Sequence, residues 1–238
     1  MDKHSIKPQD GESSMGLRAS RRKFLTYSGF AIAATAVAMT GCKKDDEDEP
    51  AKDDREVVNL GSGDTGILNY AYALEQLEAA FYTKVVAEFY NGATSDEKAI
   101  LNDIQKHEVA HADFFKAAIG SAAIKSLTPD FSSIDFTSRA SVLGAAKKFE
   151  DLGVSAYNGA GQLITNKIYL EIAGKIVSVE ARHASVIRDL LNPGSADFSG
   201  DDVVDAKGLD VSRTPDEVLA IAKDYIKQRI DASNLPKS

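Results

Sequence analysis

Two glutamate–histidine pairs constrain this chain more than any other feature. Glu108 stands three residues before His111 and Glu180 three before His183, each pair inside a long run with helical periodicity. A lone glutamate precedes each pair by the same thirty residues: Glu78 before Glu108, and Glu150 before Glu180. At about 100° per residue, the pairs flank apolar stripes set by Ile104 and Phe115 on one helix and by Ile176 and Ile187 on another. Glu78 falls between Leu74 and Phe81, and Glu150 lies within the arc of Val142, Ala146 and Gly153. All six side chains therefore face one core at one depth. Four carboxylates desolvated together repel, and without a cation they should protonate. Two metal ions bridged by two of the glutamates would neutralise them, and mixed oxygen and nitrogen ligation suits iron or manganese and accepts zinc. The expected metal ligands are Glu78, Glu108, His111, Glu150, Glu180 and His183.

The first pair also belongs to His107-Glu108-Val109-Ala110-His111. That is the His-Glu-x-x-His of helical zinc proteases, with two imidazole ligands and a general base. The protease reading needs a third ligand, for which only His183 or a carboxylate could serve, and it leaves Glu180-x-x-His183 unexplained. In the dimetal reading His107 lies at the stripe's edge, as a surface residue or an orienting partner. Glu75, on the shoulder of the same face as Glu78, is expected either to orient a ligand histidine or to be a half-exposed helix residue. Tyr82 lies one turn from Glu78 and Tyr157 two turns from Glu150. They are expected either to hydrogen-bond a ligand glutamate or relay electrons, or simply to fill core.

The helical patterns supply the frame. The first runs from about Thr65 to Tyr90 and stops at Asn91-Gly92. The second has Ser95 as its cap and Gly120 at its end, the third starts near Ser138 and passes Tyr157, and the fourth runs from about Asn166 to Leu191, stopped by Asn192-Pro193-Gly194. Short turns make each successive pair antiparallel, whereas Ser121 to Thr137, with Pro129, is long enough for a crossover. Two hairpins joined by one long crossover is the connectivity of a ferritin-like four-helix bundle, so the expected fold is all-α. A further C-terminal helix opens at Thr214-Pro215-Asp216-Glu217. No strand alternation is evident.

The N-terminal part reads as an address. Ser20-Arg21-Arg22-Lys23-Phe24-Leu25 resembles a twin-arginine signal, followed by a mildly apolar run to Thr40 that is short for a membrane span. Met39-Thr40-Gly41-Cys42 resembles a lipobox, with Cys42 as the lipidated residue. The expected organisation is a signal peptide over 1–41, an acidic tether over 42–63 and a ferritin-like domain over 64–238. The protein should be exported through the twin-arginine machinery and lipid-anchored in a bacterial envelope, facing the periplasm or the surface. Cys42 is the only cysteine, which excludes an intramolecular disulfide and a thiolate cluster. Losing residues 1–41 removes six basic and three acidic residues and takes the net charge from −8 to −11. A chain this acidic makes no nucleic-acid partner.

Three stretches resemble a known family. Leu68 to Tyr82 (Leu-Asn-Tyr-Ala-Tyr-Ala-Leu-Glu-Gln-Leu-Glu-Ala-Ala-Phe-Tyr), Phe149 to Tyr157 and Val179 to His183 are similar to the bacterial ferritin-like, desiccation-related proteins. The resemblance covers about residues 65–225. It implies a ferritin-like bundle with the same six residues in the ligand positions, and says little about activity. The expected function is redox chemistry with oxygen or peroxide, a small oxidant being the substrate, in envelope stress protection. The alternative is a non-catalytic metal-binding or structural lipoprotein. A homo-oligomer is compatible with either.

Overall fold

A computed structural model describes residues 53–237. Arg21, Arg22 and Cys42, which carry the export and lipidation expectations, lie outside the described residues. No helix among the described residues is long and apolar enough to cross a membrane.

The order of elements is β1 (Val57–Asn59), α1 (Gly63–Ala87), α2 (Ser95–Ile119), α3 (Arg139–Gly161), α4 (Lys167–Leu191), α5 (Pro215–Ala222) and β2 (Arg229–Asp231). The chain folds as a ferritin-like bundle in which α1 packs along α2 and α3 along α4. Helix starts follow local chemistry. Thr94, rather than Ser95, caps α2: its hydroxyl accepts from the Glu97 backbone while the Glu97 carboxylate accepts from the Thr94 backbone. Ser138 and Asn166 cap α3 and α4, and Thr214 repeats the reciprocal cap on α5 with Pro215 in the first turn. Helix α1 ends at Ala87, three residues before the expected stop. Glu88 turns extended, and Tyr90 folds back into the core at 2 % exposure.

The strands were not legible in the sequence. β1 and β2 pair in parallel over three residues each, Val58 opposite Ile230, too short to show alternation. The pairing brings Val58 and Leu60, assigned to the polar tether by composition, into buried positions.

The crossover is tied to α1 by two amides. Asn69 donates to the carbonyls of Leu60 and Ala122 and accepts from the Ile124 backbone, and Gln76 accepts from the Leu127 backbone. Crossover residues Phe131 and Phe136 then pack on Phe81, which also meets Phe149 edge-on at 5.0 Å. Beyond α4, Arg188 is buried and clamps the acidic loop: it holds Asp151 through two bonds of 2.8 Å and Asp202 through bonds of 3.0 and 2.9 Å. The segment before α5 crosses α3 at Gly159, and the Arg213 backbone donates to the Ser155 carbonyl there. A Cβ on Gly159 would stand 1.8 Å from the Arg213 carbonyl oxygen, so only glycine permits the crossing.

Candidate metal centre

The four long helices each bring acid into the core. Glu75 and Glu78 come from α1, Glu108 from α2, Glu150 from α3 and Glu180 from α4, and all five are buried. His111 and His183 sit one turn beyond Glu108 and Glu180, with His183 buried and His111 half-buried. Both imidazoles turn Nδ1 to the acids. His111 Nδ1 lies 2.9 Å from Glu180 Oε1, 3.4 Å from Glu75 Oε2 and 3.5 Å from Glu108 Oε2. His183 Nδ1 lies 2.7 Å from Glu108 Oε1, 3.5 Å from Glu150 Oε2 and 3.9 Å from Glu180 Oε2.

These distances resolve into two donor groups. Glu75, Glu108, His111 and Glu180 form one, and Glu108, Glu150, Glu180 and His183 the other, with the donor atoms of each within 4.8 Å of one another. Glu108 and Glu180 belong to both, and each turns one oxygen to either histidine. The eight atoms so arranged are Glu75 Oε2, Glu150 Oε2, both oxygens of Glu108 and of Glu180, and the two Nδ1 atoms. All eight are buried and have no polar partner outside their own group. Buried polar atoms are ordinarily satisfied; these eight, converging from four helices, meet only one another, and an arrangement of this kind fits a pair of cations. Four carboxylates also balance two divalent charges.

The other oxygens of the terminal glutamates are held by tyrosines. Tyr82 donates to Glu150 Oε1 at 2.5 Å, and Tyr157 donates to Glu75 Oε1. Each bond fixes its carboxylate and leaves Oε2 free for a cation. Tyr82 and Tyr157 therefore touch donor glutamates, one of the roles expected for them.

Of the two α1 glutamates, the donor groups take in Glu75; Glu78, buried at 3 % exposure, is in neither. Glu78 packs against Gly153 of α3, beside Glu180: a Cβ on Gly153 would lie 3.1 Å from Glu78 Oε1 and 3.7 Å from Glu180 Oε2. Burial, then the charges of Glu180, Glu108 and Glu150, push its carboxyl well above the usual range. The other five expected residues come together. A sequence signal for Glu75 exists: it lies seven residues before Tyr82, as Glu150 lies seven before Tyr157.

The electrostatics are those of a buried centre rich in negative charge. Burial opposes charge on His111, yet the facing Glu108, Glu180 and Glu75 carboxylates raise it to about 12, and Glu108 with Glu150 raise His183 to about 10. Glu75 is pushed up to about 7, chiefly by burial.

His107 is in neither donor group. Its Nδ1 lies 2.9 Å from His183 Nε2, on the side away from the acids. The two histidines of His-Glu-x-x-His thus do not converge on one ion as a zinc protease requires. A cleft of about 390 Å³ between α2 and α4 reaches this place, with His107, His111, Arg182 and His183 among its walls.

No curated protein matches the chain. The model of the ferritin-like domain matches residues 63–193, more than half of the sequence and the span that contains all four long helices. The bundle, its connectivity and the buried cluster of glutamate and histidine agree with that match, and the chain belongs to the ferritin-like domain family.

Proposed function

We propose that this protein is an exported dimetal carboxylate protein that binds two iron or manganese ions and performs redox chemistry with oxygen or peroxide in envelope stress protection. The observation that carries the reading is the convergence of eight buried donor atoms, with no polar partner outside their own group, in two groups sharing Glu108 and Glu180. Bound there, a pair of redox-active ions would supply the electrons exchanged with a small oxidant.

The chain's own residues supply the rest. Glu75 and Glu150 close the two ends of the site, each fixed by a tyrosine hydroxyl from the other helix. Glu108 and Glu180 span the middle. His111 and His183 border the cleft between α2 and α4, which is the way in for a small molecule. The tightly packed aromatic residues around Phe81 and Phe149 seal one flank against water. Export rests on Arg21-Arg22 and anchoring on Cys42. A twin-arginine route carries folded protein, so the metal would be loaded before export.

The test is metal analysis of the full chain after iron- or manganese-replete expression, followed by consumption of hydrogen peroxide or oxygen. Two ions per chain with metal-dependent turnover of either oxidant is the expected result. Two ions with no redox response would leave a non-catalytic metal-binding protein, and no bound metal would overturn the dimetal reading.

A further inference from the structure

His183 has a partner on its outer side that His111 lacks. Its Nδ1 faces Glu108 and Glu150, so that nitrogen is the one a cation would take once its proton is displaced. Its Nε2 lies 2.9 Å from His107 Nδ1, and the two rings are within 7° of parallel with centroids 5.1 Å apart. Two ring nitrogens this close share one proton. With Nδ1 turned to the acids, Nε2–H of His183 donates and His107 Nδ1 accepts. A hydrogen bond of this kind sets the tautomer and ring orientation of a ligating histidine. Among the described residues no side chain plays the same part for His111, whose ring borders the cleft.

The two donor groups are otherwise alike. Each has one imidazole Nδ1, one oxygen from each shared glutamate and one terminal glutamate held by a tyrosine. The outer partner of the imidazole sets them apart. We propose that His107 is the positioning residue of His183, and that it makes the two metal positions inequivalent, the one at His183 filling first. This inference rests on the dimetal reading above and deepens it.

The test is equilibrium titration of the metal-free full chain with Co(II), followed by its visible absorption, for wild type, His107→Ala and His107→Asn. The wild type should bind two ions in two resolved steps. His107→Ala should weaken the first step ~10–100-fold, the usual effect of losing a ligand's orienting partner, and leave the second within about twofold. His107→Asn, whose side-chain oxygen can accept in place of Nδ1, should restore most of the first step and its spectrum. A side chain that served only packing would show no such rescue. His107 is exposed, so the variants should keep the helical circular dichroism of the wild type. Two ions bound by His107→Ala with unchanged affinities, or both steps weakened equally, would overturn the inference and leave the dimetal reading standing. A wild-type chain that binds no Co(II) would overturn both.

Discussion

The Tyr82 hydroxyl on α1 lies 2.5 Å from Glu150 Oε1 on α3. Its counterpart runs the other way, from Tyr157 on α3 to Glu75 on α1. Each tyrosine stands seven residues after the terminal glutamate of its own helix and holds that of the other. The two halves of the bundle thus repeat one device and interlock through it.

Removing either hydroxyl should loosen one end of the site. Tyr82→Phe should act on the position of Glu150 and Tyr157→Phe on that of Glu75, each lowering the affinity of one ion ~10-fold. Metal titration of the two variants checks this. Unchanged affinities in both would show that the tyrosines only fill space.

Glu75 and Glu78 separate the ligand set read from spacing from the one read from geometry. Glu75→Gln should lose or greatly weaken one of two ions. Glu78→Gln should keep both, because Glu78 belongs to neither donor group and the amide keeps its shape. Metal content after dialysis gives the answer, and the reverse pattern would restore Glu78 to the site.

How much was legible follows from what kinds of signal the residues leave. The four long helices, their connectivity and the convergence of Glu108, His111, Glu150, Glu180 and His183 in the core could be read because core-facing acids interrupt apolar stripes at a regular period. Glu75 and Glu78 lie one turn apart on the same face. Spacing alone favoured Glu78 because its distance to Glu108 matches that from Glu150 to Glu180. The choice of Glu75 depends on contacts: Tyr157 and His111 reach it, whereas Glu78 rests against Gly153 beside Glu180. The parallel strand pair joins residues too far apart and too few to leave a pattern. The His107–His183 contact joins α2 and α4, which periodicity cannot align.

Metal affinity should rise with pH. His111 is raised to about 12 and His183 to about 10 by the carboxylates that face them. Their folded values lie above the unfolded value of about 6.5. The attraction therefore supports the metal-free fold fully below that value and is lost as pH climbs through the folded ones. A cation must displace these protons, so binding releases them and is favoured as pH goes from about 6 to about 8. Calorimetry in buffers of different ionisation enthalpy counts the released protons. Affinity flat across that range would contradict the assigned protonation.

Arg188 and Gly159 should matter to stability rather than to metal. Arg188→Ala breaks two ion pairs of a buried guanidinium. It should cost about 2–3 kcal/mol, the low end for a broken buried pair because Asp202 stays largely solvated. Gly159→Ala drives a Cβ into the Arg213 backbone and should cost about 3 kcal/mol. Urea unfolding of the metal-free variants measures both; losses below about 0.5 kcal/mol, the ordinary surface effect, would contradict the packing described.

The most direct measurement is the number of ions held by the wild-type chain and by Glu108→Ala. Glu108 gives one oxygen to each donor group, so its loss strikes both. The account predicts two ions per chain in the wild type and none retained by Glu108→Ala at metal concentrations that saturate the wild type. A wild type that binds no metal, or a Glu108→Ala chain that still holds two ions, would contradict it.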